Sequence, residues 1–363
     1  MDEAMGKALV AMSGGVDSSV AAYLMQQAGY LCTGATMRLY HNEDLAVPRP
    51  GTCCSLEDVE DAKTVAARLG MRHYVFNFSA EFRTQVMDRF ARAYEAGCTP
   101  NPCIDCNRHL KFDRLYRRAQ ELGIGYVVTG HYARIQRGEN GRYLLKKGLD
   151  TGKDQSYVLY AMTQEQLAHT QFPLGELHKQ EVRRIAQEQG FLNARKRDSQ
   201  DICFVPDGDY AAFIRRHRGR DYPPGDFVDQ AGRVLGRHRG VVCYTVGQRR
   251  GLGVSASQPL YVREIRPQDN TVVLAPESQL YNRIALVSDF NWIACSAPAG
   301  PIRVLARARY HQPEQPATAQ ALPDGQVRVT FDQPQRALTR GQAMVLYDGD
   351  NVVGGGTMTA VEP

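Results

Sequence analysis

Long apolar runs are missing from this chain. None of its 363 residues belongs to a stretch of the roughly 18 apolar positions that a membrane-spanning helix needs, so a membrane protein is not expected. The start also lacks a secretory pattern: Asp2 and Glu3 are acidic, and Ala8–Met12 is too short for the apolar core of a signal peptide. A cytoplasmic enzyme is the expectation. Charge of one sign is lacking too. The 44 Lys+Arg stand against 39 Asp+Glu, a net charge of +5, so any surface for a polyanion has to be local. Internal repeats and low-complexity segments are absent. Nine cysteines in a chain of this length, with no secretory signal, argue against a disulfide scaffold, and their placement has to be read chemically. The length suffices for two or three domains with a large core.

What the chain does have is Ser13–Gly14–Gly15–Val16–Asp17–Ser18–Ser19. It follows the apolar run Ala8–Met12 and opens a run with helical spacing, Val20, Ala21, Leu24, Met25 and Ala28. Strand, Gly-rich turn and helix in that order make a phosphate cradle: the glycines let backbone approach the anion, and the helix start adds a positive dipole end. Ser13, Ser18 and Ser19 offer hydroxyls, and Asp17 can orient a metal ion or cap the helix. The turn lacks the lysine of G-x-x-x-x-G-K-[ST] and the spacing of G-x-G-x-x-G. It resembles instead the loop of the ATP pyrophosphatases, whose members adenylate an oxygen on a substrate. The plain alternative is a Gly-Gly turn that only starts a helix.

Strand-like runs Tyr30–Met37, His73–Phe78 and Tyr126–Thr129 alternate with helical periodicities through Val59–Leu69, Phe82–Tyr94 and Phe112–Leu122. Ser55 and Asp58 look like a capping box. The alternation predicts a parallel α/β sheet with ligands beyond the carboxyl ends of its strands, where Met37, Gly130–His131 and the Cys-rich loop 99–107 fall. Arg134–Leu145 reads as a hairpin, and Val182, Ile185 and Ala186 mark a helix. Past Tyr222–Pro223–Pro224–Gly225 the period becomes 2, as in Val304, Ala306 and Ala308 or Val327, Val329 and Phe331. Two small barrel-like β domains are expected there, giving domains 1–208, 209–281 and 282–363.

Cys106, in Asn101–Pro102–Cys103–Ile104–Asp105–Cys106–Asn107, is placed by this reading beside the start of the next helix, which favours thiolate. A nucleophile is reasonable. Half a zinc site, a redox pair and two structural thiols compete with it; no second C-x-x-C or H-x₃-H follows. Cys203 lies between apolar residues, where a lone thiol is usually inert. Cys32, Cys243 and Cys295 read as core, and Cys53–Cys54 has no firm account.

Ser13–Ser19, Asn101–Asn107, Thr129–Tyr132, Lys153–Tyr157, Ser199–Phe204, Gly247–Arg249 and Gly251–Gly253 together resemble the bacterial tRNA-specific 2-thiouridylases, over essentially the whole chain. The resemblance implies ATP-dependent replacement of O2 of the wobble uridine by sulfur in tRNAs for Lys, Glu and Gln. By motif position Cys106 is the nucleophile and Cys203 the cysteine persulfide intermediate, the two ending in a transient disulfide. The ATP site carries over to Ala11, Met12, Ser13, Gly14, Gly15, Val16, Asp17 and Ser18, with Met37, otherwise an ordinary core methionine, and Gly130. Contacts to tRNA carry over to Asn101, Pro102, Cys103, His131, Lys153, Asp154, Gln155, Arg309, Tyr310 and Gln342. Some relatives have Asp at the position of Cys103, so the acid–base group assigned to that carboxylate is lacking here. A [4Fe–4S] cluster on Cys103, Cys106 and Cys203 is the alternative sulfur chemistry. Mg²⁺ is expected with ATP. The implied partners are tRNA and a sulfur donor, either a cysteine desulfurase or a relay carrier, with the chain itself a monomer. Basic clusters at Arg108/Lys111/Arg114/Arg118, Arg195–Arg197, Arg215–Arg220, Arg249–Arg250 and Arg303/Arg307/Arg309 suit RNA phosphates, each by itself an ordinary solvated face. Two rivals stand beside this reading: a related ligase that adenylates a small metabolite, and a non-catalytic RNA-binding or sulfur-carrier protein.

Overall fold

The computed structural model describes residues 5–40, 56–196, 198 and 202–362. Five parallel strands form the first sheet, in the order β3-β2-β1-β4-β7: β1 (Lys7–Ala11), β2 (Leu31–Arg38), β3 (Arg72–Asn77), β4 (Tyr126–Val128) and β7 (Thr170–Gln171). Helices α1 (Val16–Gln27) and α2 (Leu56–Arg68) cross over between the first three strands. A central strand buried on both faces needs apolar residues throughout, and Ala8, Leu9 and Val10 are all fully buried. Val16, Val20 and Ala21 of α1, Val65 and Ala66 of α2, and Val182 and Ala186 of the helix Lys179–Glu188 complete one core cluster with Ala8 and Val10. Because all strands run the same way, Met12–Gly15, Leu39–Tyr40 and Thr129–His131 leave the same edge of the sheet. The hairpin β5 (Ala133–Arg137) and β6 (Tyr143–Lys147) is inserted after β4.

The helix after the Cys-rich segment starts earlier than the sequence reading placed it. Pro102–Cys106 is already helical, and wide π-type turns over Asn107–Arg114 lead into Leu115–Glu121. Proline suits a first helical position, since its missing N–H would be unpaired there anyway. Cys106 thus sits a full turn inside the helix, and the argument from free N–H groups at the helix start applies to Cys103 instead.

The β-rich part contains two sheets. One has the order β10-β11-β8-β9, from β8 (Gly225–Val228), β9 (Val234–His238), β10 (Tyr261–Arg266) and β11 (Thr271–Ala275). The other is a six-stranded barrel of β12 (Tyr281–Trp292), β13 (Ile302–Arg307), β14 (Gln315–Ala321), β15 (Val327–Arg336), β16 (Ala343–Asp348) and β17 (Asn351–Glu362), in the order β12-β15-β14-β13-β16-β17 and closed by β12 on β17. The alternation read from the sequence is the barrel's inward face: Val304, Ala306, Ala308, Val327, Val329 and Phe331 are all buried.

The chain forms two compact bodies. The first holds 1–86, 103–208 and 350–352; the second holds 87–102, 209–349 and 353–363. Segment 87–102 groups with the second body. The reason is polar: His217 Nε2 lies 2.7 Å from Asp88, Glu95 accepts from Arg218, Arg220 and Tyr222, and Gln342 donates to the Thr99 carbonyl at 2.8 Å. The sheets of the two expected β domains both lie in the second body.

Candidate active site

Met12 continues the β1 ladder, its N–H donating to the Ala35 carbonyl at 2.8 Å, and the chain then turns at Gly14, whose φ is +74°. A Cβ on Gly14 would stand 2.7 Å from the Asp58 Cα, so both conformation and space demand glycine. Gly130, at the end of β4, faces the loop from the neighbouring strand. A Cβ there would lie 2.8 Å from the backbone carbon of Asp17 and 2.9 Å from the Ser18 nitrogen. Two strand ends thus close on the start of α1 with no room for a side chain.

The serines do not all face outward as expected. Ser18 accepts from the Ser13 N–H at 3.2 Å and donates to the Gly15 carbonyl at 3.0 Å; Ser19 donates to that carbonyl at 3.1 Å. Their hydroxyls brace the turn, while Ser13 is exposed. Asp17 does not cap α1. Its carboxylate receives Tyr132 Oη at 2.9 Å and Lys179 Nζ at 2.7 and 2.8 Å. Burial, with the nearby Asp17 charge, pushes the Tyr132 hydroxyl far above its ordinary range, so it stays a donor. Lys179 also pairs with Asp198 at 2.8 Å, and Asp198 receives Lys153 at 2.7 Å and Arg183 at 2.9 Å. Burial raises the Asp198 pKa, but bonds from Lys153 and Lys179 outweigh it and hold the carboxyl below its usual range. Behind the loop, buried Asn193 donates to the Gly14 carbonyl and to Ser19 Oγ, both at 2.9 Å. Lys196 bridges Asp58 (2.6 Å) and Asp61 (2.7 Å) of α2; Asp58 is thus an ion-pair partner, while Ser55 lies outside the described residues.

The residues picked out by sequence divide between the bodies. Ala11–Ser18, Met37, Cys103, Cys106, Gly130, His131, Lys153–Gln155 and Cys203 belong to the first; Asn101, Pro102, Arg309, Tyr310 and Gln342 belong to the second. Met37 is a buried residue of β2, paired with Phe76 of β3. Tyr40, just past β2, donates to the Cys203 carbonyl at 3.2 Å, and Phe204 packs edge-on against Phe82. Cys106 is followed by Asn107, which donates to the Val158 carbonyl at 3.0 Å. Cys106 and Cys203 are both of intermediate exposure, and Cys103 is exposed. No group of three or more His, Cys, Asp or Glu side chains among the described residues is placed to hold a metal. Cys32, in β2, has its thiol pushed up to about 11 by burial, as a structural cysteine should. Cys53, Cys54, Arg197 and Ser199–Asp201 lie outside the described residues.

Several residues expected to touch RNA also make contacts within the protein. The His131 ring is buried between Phe112 and Phe172, with Thr129 Oγ1 2.6 Å from Nδ1, and burial drives its pKa well below 6.5. Asp154, also buried, accepts from the Gly148 and Ser156 N–H groups and from the Ser156 hydroxyl. Gln155 accepts from the Tyr132 N–H at 3.0 Å. Arg309 donates to the Val246 and Ala337 carbonyls and to Thr339 Oγ1, at 3.2, 2.9 and 2.8 Å. Of the basic clusters, Arg114 pairs with Glu81, Arg118 with Glu121, and Arg303 with Asp332. Arg249 and Arg250 are exposed, and Arg249 lines an open recess with Gly251–Val254 and Pro259–Leu260.

Sequence reasoning missed Lys179, Asp198, Tyr132 and Asn193. Lys179 did leave a trace: it is the first residue of its helix, where the dipole disfavours a cation, so a partner elsewhere was called for.

Family models match three consecutive parts of the chain: a tRNA methyl transferase HUP domain over residues 6–207, a tRNA methyl transferase PRC-barrel domain over 211–276, and an aminomethyltransferase beta-barrel domain over 282–358. Among curated relatives, the tRNA-specific 2-thiouridylase of Clostridioides difficile is 48% identical over 96% of this chain and 97% of its own length. This chain belongs to the tRNA-specific 2-thiouridylase family. The namesake of Lachnoclostridium phytofermentans is 48% identical (98% of this chain, 99% of that one), and that of Moorella thermoacetica 49% (97% and 99%). In this 2-thiouridylase family member, no helix among the described residues is long and apolar enough to cross a membrane.

Proposed function

We propose that the protein thiolates the wobble uridine U34 of tRNAs for Lys, Glu and Gln, using ATP. The observation that carries this reading is kinship at 48% identity over 96% of the chain with a protein named for 2-thiouridine formation in tRNA. The loop geometry supports it: Gly14, Gly15 and Gly130 clear the backbone at the start of α1, where the dipole and free N–H groups favour phosphate. ATP is then a substrate. Mg²⁺ enters bound to its phosphates, since Asp17 is occupied by Lys179 and Tyr132.

In the first step uracil O2 attacks the α-phosphorus, pyrophosphate leaves and the N3 proton passes to solvent. Adenylation turns O2 into a leaving group. In the second step the terminal sulfur of a Cys203 persulfide attacks C2 and AMP leaves. The Cys106 thiolate then attacks Cys203 Sγ; a Cys106–Cys203 disulfide forms, and the sulfur stays on C2, with a proton returning to N3. A dithiol reductant restores the cysteines, and the persulfide comes from a desulfurase or relay carrier. The target base has to leave the anticodon stack to reach such a site.

The test measures pyrophosphate release and 2-thiouridine in the tRNA product, for wild type, Asp17→Ala and Cys106→Ser. Wild type should release pyrophosphate only with tRNA present. Cys106→Ser should still release it but yield no 2-thiouridine, and Asp17→Ala should do neither. Pyrophosphate release without tRNA, unaffected by Cys106→Ser, would point to a ligase for a small metabolite.

A further inference from the structure

We propose that Lys179 is a positioning residue of the nucleotide site: it neutralises Asp17 and so lets the loop accept the triphosphate. The inference rests on the ATP reading of the loop. Asp17 is the second residue of α1, at the helix end built for an anion. A bare carboxylate there would repel phosphate, and its first-turn position alone would make it a competitor for the dipole. Lys179 removes that conflict by donating to both carboxylate oxygens, at 2.7 and 2.8 Å.

The amine is held for this task from three sides. It is buried, it lies 5.8 Å from the centre of the Tyr132 ring, and it shares Asp198 with Lys153 and Arg183. Its own backbone N–H donates to Asp150 at 2.9 Å, which fixes the start of the helix. Asp17, Asp150 and Asp198 with Lys153, Lys179 and Arg183 carry three negative and three positive charges, a balanced cluster beside the loop. Without Lys179 the cluster is left net negative, and Tyr132, a neutral donor, remains on Asp17.

Equilibrium dialysis of ATP in EDTA tests the idea, because metal-free ATP exposes the repulsion directly. Lys179→Met should weaken binding by roughly tenfold to a hundredfold, the loss of one charged partner. Lys179→Arg should retain most of it. Adding Asp17→Asn to Lys179→Met should restore binding, since no carboxylate is left to neutralise; a merely structural lysine would show no such rescue. Thermal melts identify variants that fail to fold, and for these the Lys179→Arg and double-variant results decide. Lys179→Met binding within about twofold of wild type, or no rescue in the double variant, overturns the proposal. A wild type that binds no ATP at all would instead remove the nucleotide reading itself.

Discussion

Gly130 shows how much one missing methyl decides. It has no unusual φ, so conformation does not demand glycine; space does, with the Asp17 and Ser18 backbone 2.8 and 2.9 Å from a Cβ. Gly130→Ala should displace the loop and abolish ATP binding in dialysis while the protein stays folded by circular dichroism. Unchanged affinity would mean the loop yields without loss. Arg309 makes the opposite point. Its bonds to Val246, Ala337 and Thr339 give Arg309→Glu a stability cost of about 2 kcal/mol, read as a lower melting temperature. A variant that loses RNA binding with unchanged melting would restore it to the RNA surface. His131 supplies a pH dependence. Burial lowers its folded pKa from 6.5, as it lowers those of His73 and His238, so the unfolded chain binds protons that the native one refuses. The stability from this source is full above 6.5 and falls as pH drops below it. The melting temperature should therefore decline from about pH 7 to about 5.5, less steeply in His131→Gln, and a flat profile would refute the assignment.

At the scale of elements, the segment 87–102 is held by charge where no local pattern announced it. Burial raises the Glu95 pKa, but bonds from Tyr222 and Arg218 and the charges of Arg218 and Arg220 outweigh it, leaving a carboxylate that ionises below its usual range. Glu95→Ala should cost about 1–2 kcal/mol, because both arginines keep access to water. Chemical denaturation at neutral pH measures it, and a change under a few tenths would show that apolar packing holds the segment. The helix carrying Cys106 teaches a related lesson. The loop reading of 99–107 followed its prolines and cysteines, yet Pro102 is a helix-starting residue, and the chain continues through wide turns at Asn107–Arg114.

For the molecule as a whole, a net charge of +5 is a weak electrostatic footprint, and Arg114, Arg118 and Arg303 are already in surface ion pairs. Binding of tRNA should therefore draw on local groups of exposed arginines, Arg249 and Arg250 among them. Arg249→Ala/Arg250→Ala should reduce the slope of log affinity against log salt by about 1–2, as two fewer phosphates are neutralised, while ATP binding is unchanged. An identical slope in filter binding would take those residues off the RNA surface.

Periodicity and turn chemistry determined much by themselves: the strand–loop–helix at Ser13–Ser19, the parallel α/β alternation and the period-2 face of the barrel. These are local patterns, set by which side of a strand or helix must avoid water. Ion-pair partners were not legible, because a carboxylate and an amine 162 residues apart carry no shared local signal; only folding brings Lys179 to Asp17. The same holds for His131 and Arg309, given to tRNA by resemblance: His131 is buried and Arg309 half-buried, each with partners from distant elements.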